Sequence, residues 1–176
     1  MRVWDFAGKY GFLKDKITRA AVLHNSIDTL MADIITTEPQ VSCMRGCAFC
    51  CYMKVDITRD EGELIMLRLA QERRDMTDII PVLEKQRRDD RKDLSYAEKR
   101  CAFLSEQDDC SIYSFRPTTC RKHYVASPAA DCDISVGEEG KVLKRYSLAA
   151  EIMASGAMNA SPTSDMPNVL LSILKR

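Results

Sequence analysis

Between Ile17 and Ile35 the apolar residues Ala20, Leu23, Ile27, Leu30, Met31 and Ile34 recur at three- and four-residue spacing, the signature of one helix face. A helix over 17–35 follows. It ends before Glu38-Pro39, because the residue ahead of a proline avoids helical geometry. Thr58-Arg59-Asp60-Glu61 has the form of a capping box, with Thr58 as cap and Glu61 three residues on. Leu64, Ile65, Leu67, Leu69 and Ala70 continue it as a second helix. A third is expected from Asp78 to about Asp93, where Pro81 is tolerable because it falls in the first turn. Its later half interleaves Arg87, Arg88, Arg91 and Lys92 with Asp89, Asp90 and Asp93 and reads as a solvated charged face.

From 101 to 125 the pattern changes. Cys101-Ala102-Phe103-Leu104 and Cys110-Ser111-Ile112-Tyr113 are short, strand-like pieces separated by the turn-forming stretch Ser105 to Asp109, which predicts a hairpin or an extended loop. A polar loop at 131–140 follows. Tyr146, Ala149, Ala150, Met153 and Ala157 then mark a helix over about 142–158, and Pro167 opens a last one over 167–175 through Val169, Leu170, Ile173 and Leu174. The expected fold is mainly α with a small β-hairpin or extended loop region. We read residues 1–176 as one compact, metal-stapled domain with a cysteine-cluster core at about 40–132.

The chain has 176 residues, 45% of them hydrophobic, enough for a core that hides about 70% of the unfolded surface. Twenty-six basic residues balance 26 acidic ones. That balance removes the broad attraction to nucleic acid or to an anionic membrane. No run approaches the ~18 apolar residues of a membrane span, and Met1 to Phe6 lacks an apolar leader segment, so a cytoplasmic location is expected. There is no internal repeat and no low-complexity tract.

Eight cysteines change the picture. Thiols stay reduced in the cytosol, and so many in one chain point to metal binding or redox chemistry rather than to a disulfide framework. Cys43, Cys47, Cys50 and Cys51 fall within nine residues, close enough for one loop to wrap an ion or a cluster. Gly46 can supply the positive φ such a loop needs. The neighbours Cys50 and Cys51 face different ways unless the loop is sharply bent. Cys101, Cys110, Cys120 and Cys132 are dispersed and need the tertiary fold to gather them. Two four-cysteine sites, one site plus spare thiols, and a single cluster linking both groups are all compatible with this spacing. Structural zinc and iron–sulfur ligation are equally thiolate-only.

The run Cys43 to Cys51, the Thr58 helix start, Cys101-Ala102-Phe103-Leu104, Cys110-Ser111-Ile112-Tyr113, Arg116-Pro117, Cys120-Arg121 and Tyr124 together resemble the YkgJ-type cysteine-cluster proteins, described as a zinc- or iron-chelating domain. The resemblance spans roughly 40–132. It implies chelation by Cys43, Cys47, Cys50, Cys51, Cys101, Cys110 and Cys120, with Cys132 as an addition. Some flagellin lysine N-methylases resemble the same family, so a metal-dependent methylase-like enzyme is one alternative. The chain departs from the family's two-residue first gap, with three residues between Cys43 and Cys47. That spacing, Cys43-x3-Cys47-x-Phe49-Cys50, is also that of radical S-adenosylmethionine enzymes. Those enzymes are built on repeated strand–helix units that this helical chain lacks.

Arg116, Arg121, Lys122 and His123 surround Cys120. Arg116 and Arg121 are expected beside the cofactor, offsetting the roughly two net negative charges of a four-thiolate zinc site. His123 is a candidate ligand in place of a cysteine, though a lone histidine is more often hydrogen-bonded, and His24 has the weaker claim. Tyr113 and Phe115 are assigned to packing. No macromolecular partner is legible. A metal-stapled module that binds protein or nucleic acid ranks behind the chelator.

Overall fold

The computed structural model describes residues 10, 12–37, 41–88, 91–136 and 142–175. Helix α1 runs Lys16–Thr37. Strand β1, Asp56–Thr58, leads directly into α2, Arg59–Gln71. The capping box at this start is complete: Thr58 Oγ1 accepts from Glu61 N, and the Glu61 carboxylate accepts from Thr58 N at 3.0 Å. Helix α3 is Ile79–Arg88, with Pro81 in its first turn. The short helix α4, Thr118–Arg121, carries Cys120. Strands β2 (Tyr124–Val125) and β3 (Lys144–Arg145) pair antiparallel. Helix α5, Leu148–Ala160, begins at the Ser147 cap. Strand β4, Thr163–Asp165, pairs antiparallel with β1, and α6, Met166–Leu174, starts with Pro167 in its first turn.

The helices are those the spacing predicts, with shifted bounds: α3 ends at Arg88 with 91–93 in a turn, where a helix to about Asp93 is expected, and α5 starts at Leu148 rather than about 142, because Lys144 and Arg145 pair with β2. Residues 101–115 take the extended-loop form rather than a ladder, with a single antiparallel bridge between Leu104 and Cys110. Arg100 explains this, since its guanidinium donates to Leu104 O at 2.6 Å and to Ser105 O, taking up carbonyls at the tip. The two small sheets come instead from segments distant in sequence. The predicted residues 89–90, within the third helix, and 137–140, within the polar loop, lie outside the described residues.

Two apolar clusters fill the interior. The first joins Ile57, Ile65, Leu69, Leu83, Phe103, Ile112 and Phe115 to Met166, Val169, Leu170 and Leu171 of α6. Here α6 packs on α2 and α3. Cys101 and Cys110 lean on this cluster from the loop. The second joins Leu23, Ile27 and Met31 of α1 to Ala150, Met153 and Ala157 of α5. Tyr146, Leu148 and Ile152 stay exposed around the start of α5. No helix among the described residues is long and apolar enough to cross a membrane.

Between the clusters runs a buried polar seam. Asp60 accepts from Arg19 Nε at 2.6 Å and from Ser161 Oγ at 3.1 Å, and Glu61 lies 3.2 Å from His24 Nε2. Glu61 Oε1 also accepts from Thr118 N at 2.7 Å. One carboxylate thus caps α2 and fixes the first turn of α4, the helix that carries Cys120.

Candidate metal centre

The first thiol group sits on two tight turns. Cys47 N donates to Met44 O at 3.0 Å, and Gly46 between them has φ 81°, a left-handed conformation that favours glycine. A 3-10 helical turn, Phe49–Tyr52, follows. It is the sharp bend that lets the adjacent Cys50 and Cys51 reach one space. The neighbouring Cys51 thiol and burial push the Cys50 thiol far up.

Three cross-links bring the second group to the first. Cys101 N donates to Cys51 O at 2.8 Å, and Ser42 N donates to Val125 O at 2.9 Å. Arg45 grips the Asp109 carboxylate in a bidentate pair, with Nη2 at 2.7 Å and Nε at 2.9 Å. Cys110 lies at the Leu104 bridge and Cys120 in α4, which begins past Pro117.

The result is a cavity of about 780 Å³ whose wall includes Cys43, Cys47, Cys50, Cys51, Cys101, Cys110 and Cys120. Among the described residues no three His, Cys, Asp or Glu side chains already form a closed metal-binding group. The thiols ring a space rather than converge on a point. Cys132 is buried outside that wall, in a 3-10 turn packed on the Phe49–Tyr52 turn.

The electrostatics trace which thiols are neighbours. Burial pushes the Cys120 thiol far up, and the charges of Cys101, Cys50 and Cys110 add to it. Cys101 is pushed up to about 11, first by burial, then by Cys110 and Cys50. Cys110 is raised by burial and by Cys50. Cys50, Cys101, Cys110 and Cys120 therefore form one mutually repelling set. Cys132 is raised to about 11 by burial and then by Cys43, Cys50 and Cys47, which places it beside the compact group. Cys50 belongs to both neighbourhoods. Desolvated thiols that oppose one another's ionisation suit a thiophilic cation, which removes both penalties on binding.

Arg116 is the guanidinium that faces them. It lines the cavity, lies 3.8 Å over the Tyr113 ring, and donates to Tyr124 Oη at 3.1 Å. Its charge lowers Cys43, Cys50, Cys110 and Cys120 against burial. Arg121 stands elsewhere: it is off the cavity wall, donating to Arg116 O at 2.8 Å, to Ser114 O at 2.6 Å and to Asp28 of α1. It braces the loop that presents Arg116. His123 does reach the wall, and its buried Nε2 has no hydrogen-bond partner. His24 is distant, paired with Glu61.

Of the two aromatics assigned to packing, Phe115 is buried in the first cluster, but Tyr113 is 59% exposed and serves as the platform under Arg116. Sequence reading also missed Arg87, Arg91 and Lys99, which stand on the cavity wall. The charge alternation read as a solvated face takes in Arg87, which is exposed, and Arg91, which is half-buried, while Lys99 lies beyond it.

A family model described as "Putative zinc- or iron-chelating domain", CxxCxxCC, matches residues 42–141, more than half of the chain. The chain belongs to the CxxCxxCC family. The matched span holds all eight cysteines as well as Arg116, Arg121 and His123. Metal chelation is thus the family's described property. Neither a curated protein nor a solved structure matches the chain at the significance required.

Proposed function

We propose that this CxxCxxCC protein is a thiolate chelator whose two cysteine groups jointly hold a zinc or iron–sulfur centre. The observation that carries the reading is that thiols from 43–51 and from 101–120 line one cavity. Cys50, Cys101, Cys110 and Cys120 are the best-supported ligands, since all four line the cavity and their charges oppose one another's ionisation. Cys43, Cys47, Cys51 and Cys132 form the second set around the shared neighbour Cys50. A bound metal would supply folding energy by tying the 43–51 loop to α4 and the 101–110 loop. Arg116 would offset part of the thiolate charge.

Against the radical-enzyme alternative, the described residues hold two two-stranded antiparallel sheets and no parallel strand–helix repeat. The chelator reading also requires no reacting acid–base pair. Elemental analysis of anaerobically purified protein tests it, with stoichiometric zinc or iron per chain as the expected result. Absence of both would overturn it. Visible absorption separates the two metals, because iron–sulfur clusters absorb there and zinc does not.

A further inference from the structure

The cavity is larger than chelation needs. Its volume of about 780 Å³ falls within the roughly 300–1,000 Å³ typical of small-molecule sites, far beyond the needs of a metal ion. On that wall stand Arg87 at the end of α3, Arg91 just beyond it, and Lys99 in the 3-10 turn Ala97–Lys99. Arg91 is fixed in place, with Nη2 donating to Lys99 O at 3.1 Å and to Tyr52 O. The buried Gln86 holds the Lys99 segment against α3, its Nε2 donating to Glu98 O at 2.9 Å and Arg100 O at 2.8 Å.

Among the described residues no carboxylate lies within ion-pair distance of Arg87, Arg91 or Lys99. The other cavity cations are committed: Arg45 to Asp109, Lys54 to Asp56, and Arg116 to the thiols and Tyr124. Arg91 faces the Cys101 thiol and then Asp165, whose Oδ1 caps α6 through Asn168 N at 3.3 Å. Asp108 and Asp109 also line the wall, but they pair with Arg100 and Arg45, so among the described residues Arg87, Arg91 and Lys99 have no carboxylate partner of their own. Arg91 is half-buried and carries a desolvation cost that its backbone carbonyl partners only partly repay.

We propose that this basic stretch of the cavity wall binds the phosphate group of a small phosphorylated molecule, whose remainder lies in the cavity beside the thiols. Two guanidiniums and an ammonium approaching from separate positions match the several oxygens and double charge of a phosphate. A carboxylate would be satisfied by one guanidinium fork. The metal centre that such a molecule would face rests on the function proposed above, whereas the phosphate contact does not.

The test is calorimetric titration of the full chain, as purified, with inorganic phosphate at low salt and with acetate as the carboxylate arm. Arg87→Gln and Lys99→Gln are the informative variants, because neither native side chain makes a hydrogen bond or ion pair within the described structure. We expect one saturable phosphate site per chain, weakened about tenfold in each variant, with no comparable acetate site and unchanged circular dichroism. No saturable phosphate binding, equal binding in both variants, or equal binding of acetate would each overturn the proposal. The metal-to-protein ratio of the same samples reports on chelation separately. A metal-free chain that binds phosphate would sink the chelator and uphold this site.

Discussion

A carboxylate only 1% exposed must be held by donors, and Glu61 has four. Thr58 N and Thr58 Oγ1 reach Oε2 at 3.0 Å each, while Thr118 N at 2.7 Å and His24 Nε2 at 3.2 Å meet Oε1. Both oxygens face donors, so a glutamine here must turn its NH2 group toward one of them. Glu61→Gln is expected to cost about 3 kcal/mol, read as a lower denaturant midpoint. Burial alone would raise the Glu61 carboxyl. The hydrogen bond and charge of His24, with the N–H groups of Thr118 and Thr58, outweigh it and bring the value down from 4.5 to about 2. Because the folded value is depressed, the stabilisation is complete above the unfolded value and is lost as pH falls toward 2. Stability of the wild type should therefore fall more steeply than that of Glu61→Gln across this window. Parallel acid profiles would contradict the assignment.

At the scale of elements, α2 and α6 approach closely because position 62 lacks a side chain. A Cβ on Gly62 would lie 2.5 Å from Val169 Cγ1 and 2.9 Å from Ile173 Cδ1. Ile173 can swing its terminal methyl aside, but β-branched Val169 cannot move its Cγ1 without leaving its rotamer. Alanine gains up to about 1 kcal/mol of helix propensity here, and overpacking costs about 1–3 kcal/mol. Gly62→Ala is thus expected to lower the melting temperature, and a higher one would show that the two helices can separate freely. Local signals were the legible part of this fold. Thr58 and Glu61, Pro81 and Pro167 announce helix starts through contacts within one turn, and each start falls within a residue of its expected place. The pairing of Asp56–Thr58 with Thr163–Asp165 carries no local mark, since three residues are too few to show a period. The α5 start was placed early for a related reason: Lys144 and Arg145 pair with β2 instead of joining the helix.

Over the whole molecule, the cysteine pattern picked out seven residues that line one cavity but not their surroundings. The thiols were readable because their type is rare and their chemistry specific. Arg121 looked equivalent to Arg116 beside Cys120, yet the turn of α4 sends it to Ser114, Arg116 and Asp28. Arg87 and Arg91 looked solvated, yet the fold brings both to the cavity wall. Direction around a short helix, and proximity across distant segments, are tertiary facts. Joint service of one centre by the compact group and the dispersed group is a tertiary matter as well. Cys120 is the thiol that decides it. It comes from a helix fixed by Glu61, far in sequence from 43–51, and yet it faces Cys50, Cys101 and Cys110. The most direct test is the metal-to-protein ratio of purified Cys120→Ser beside the wild type, with folding checked by circular dichroism. Joint ligation predicts a lower ratio together with reduced stability, because ligand loss removes binding energy linked to folding. An unchanged ratio in a folded variant would show that the dispersed cysteines are inert buried thiols and that the compact loop binds alone.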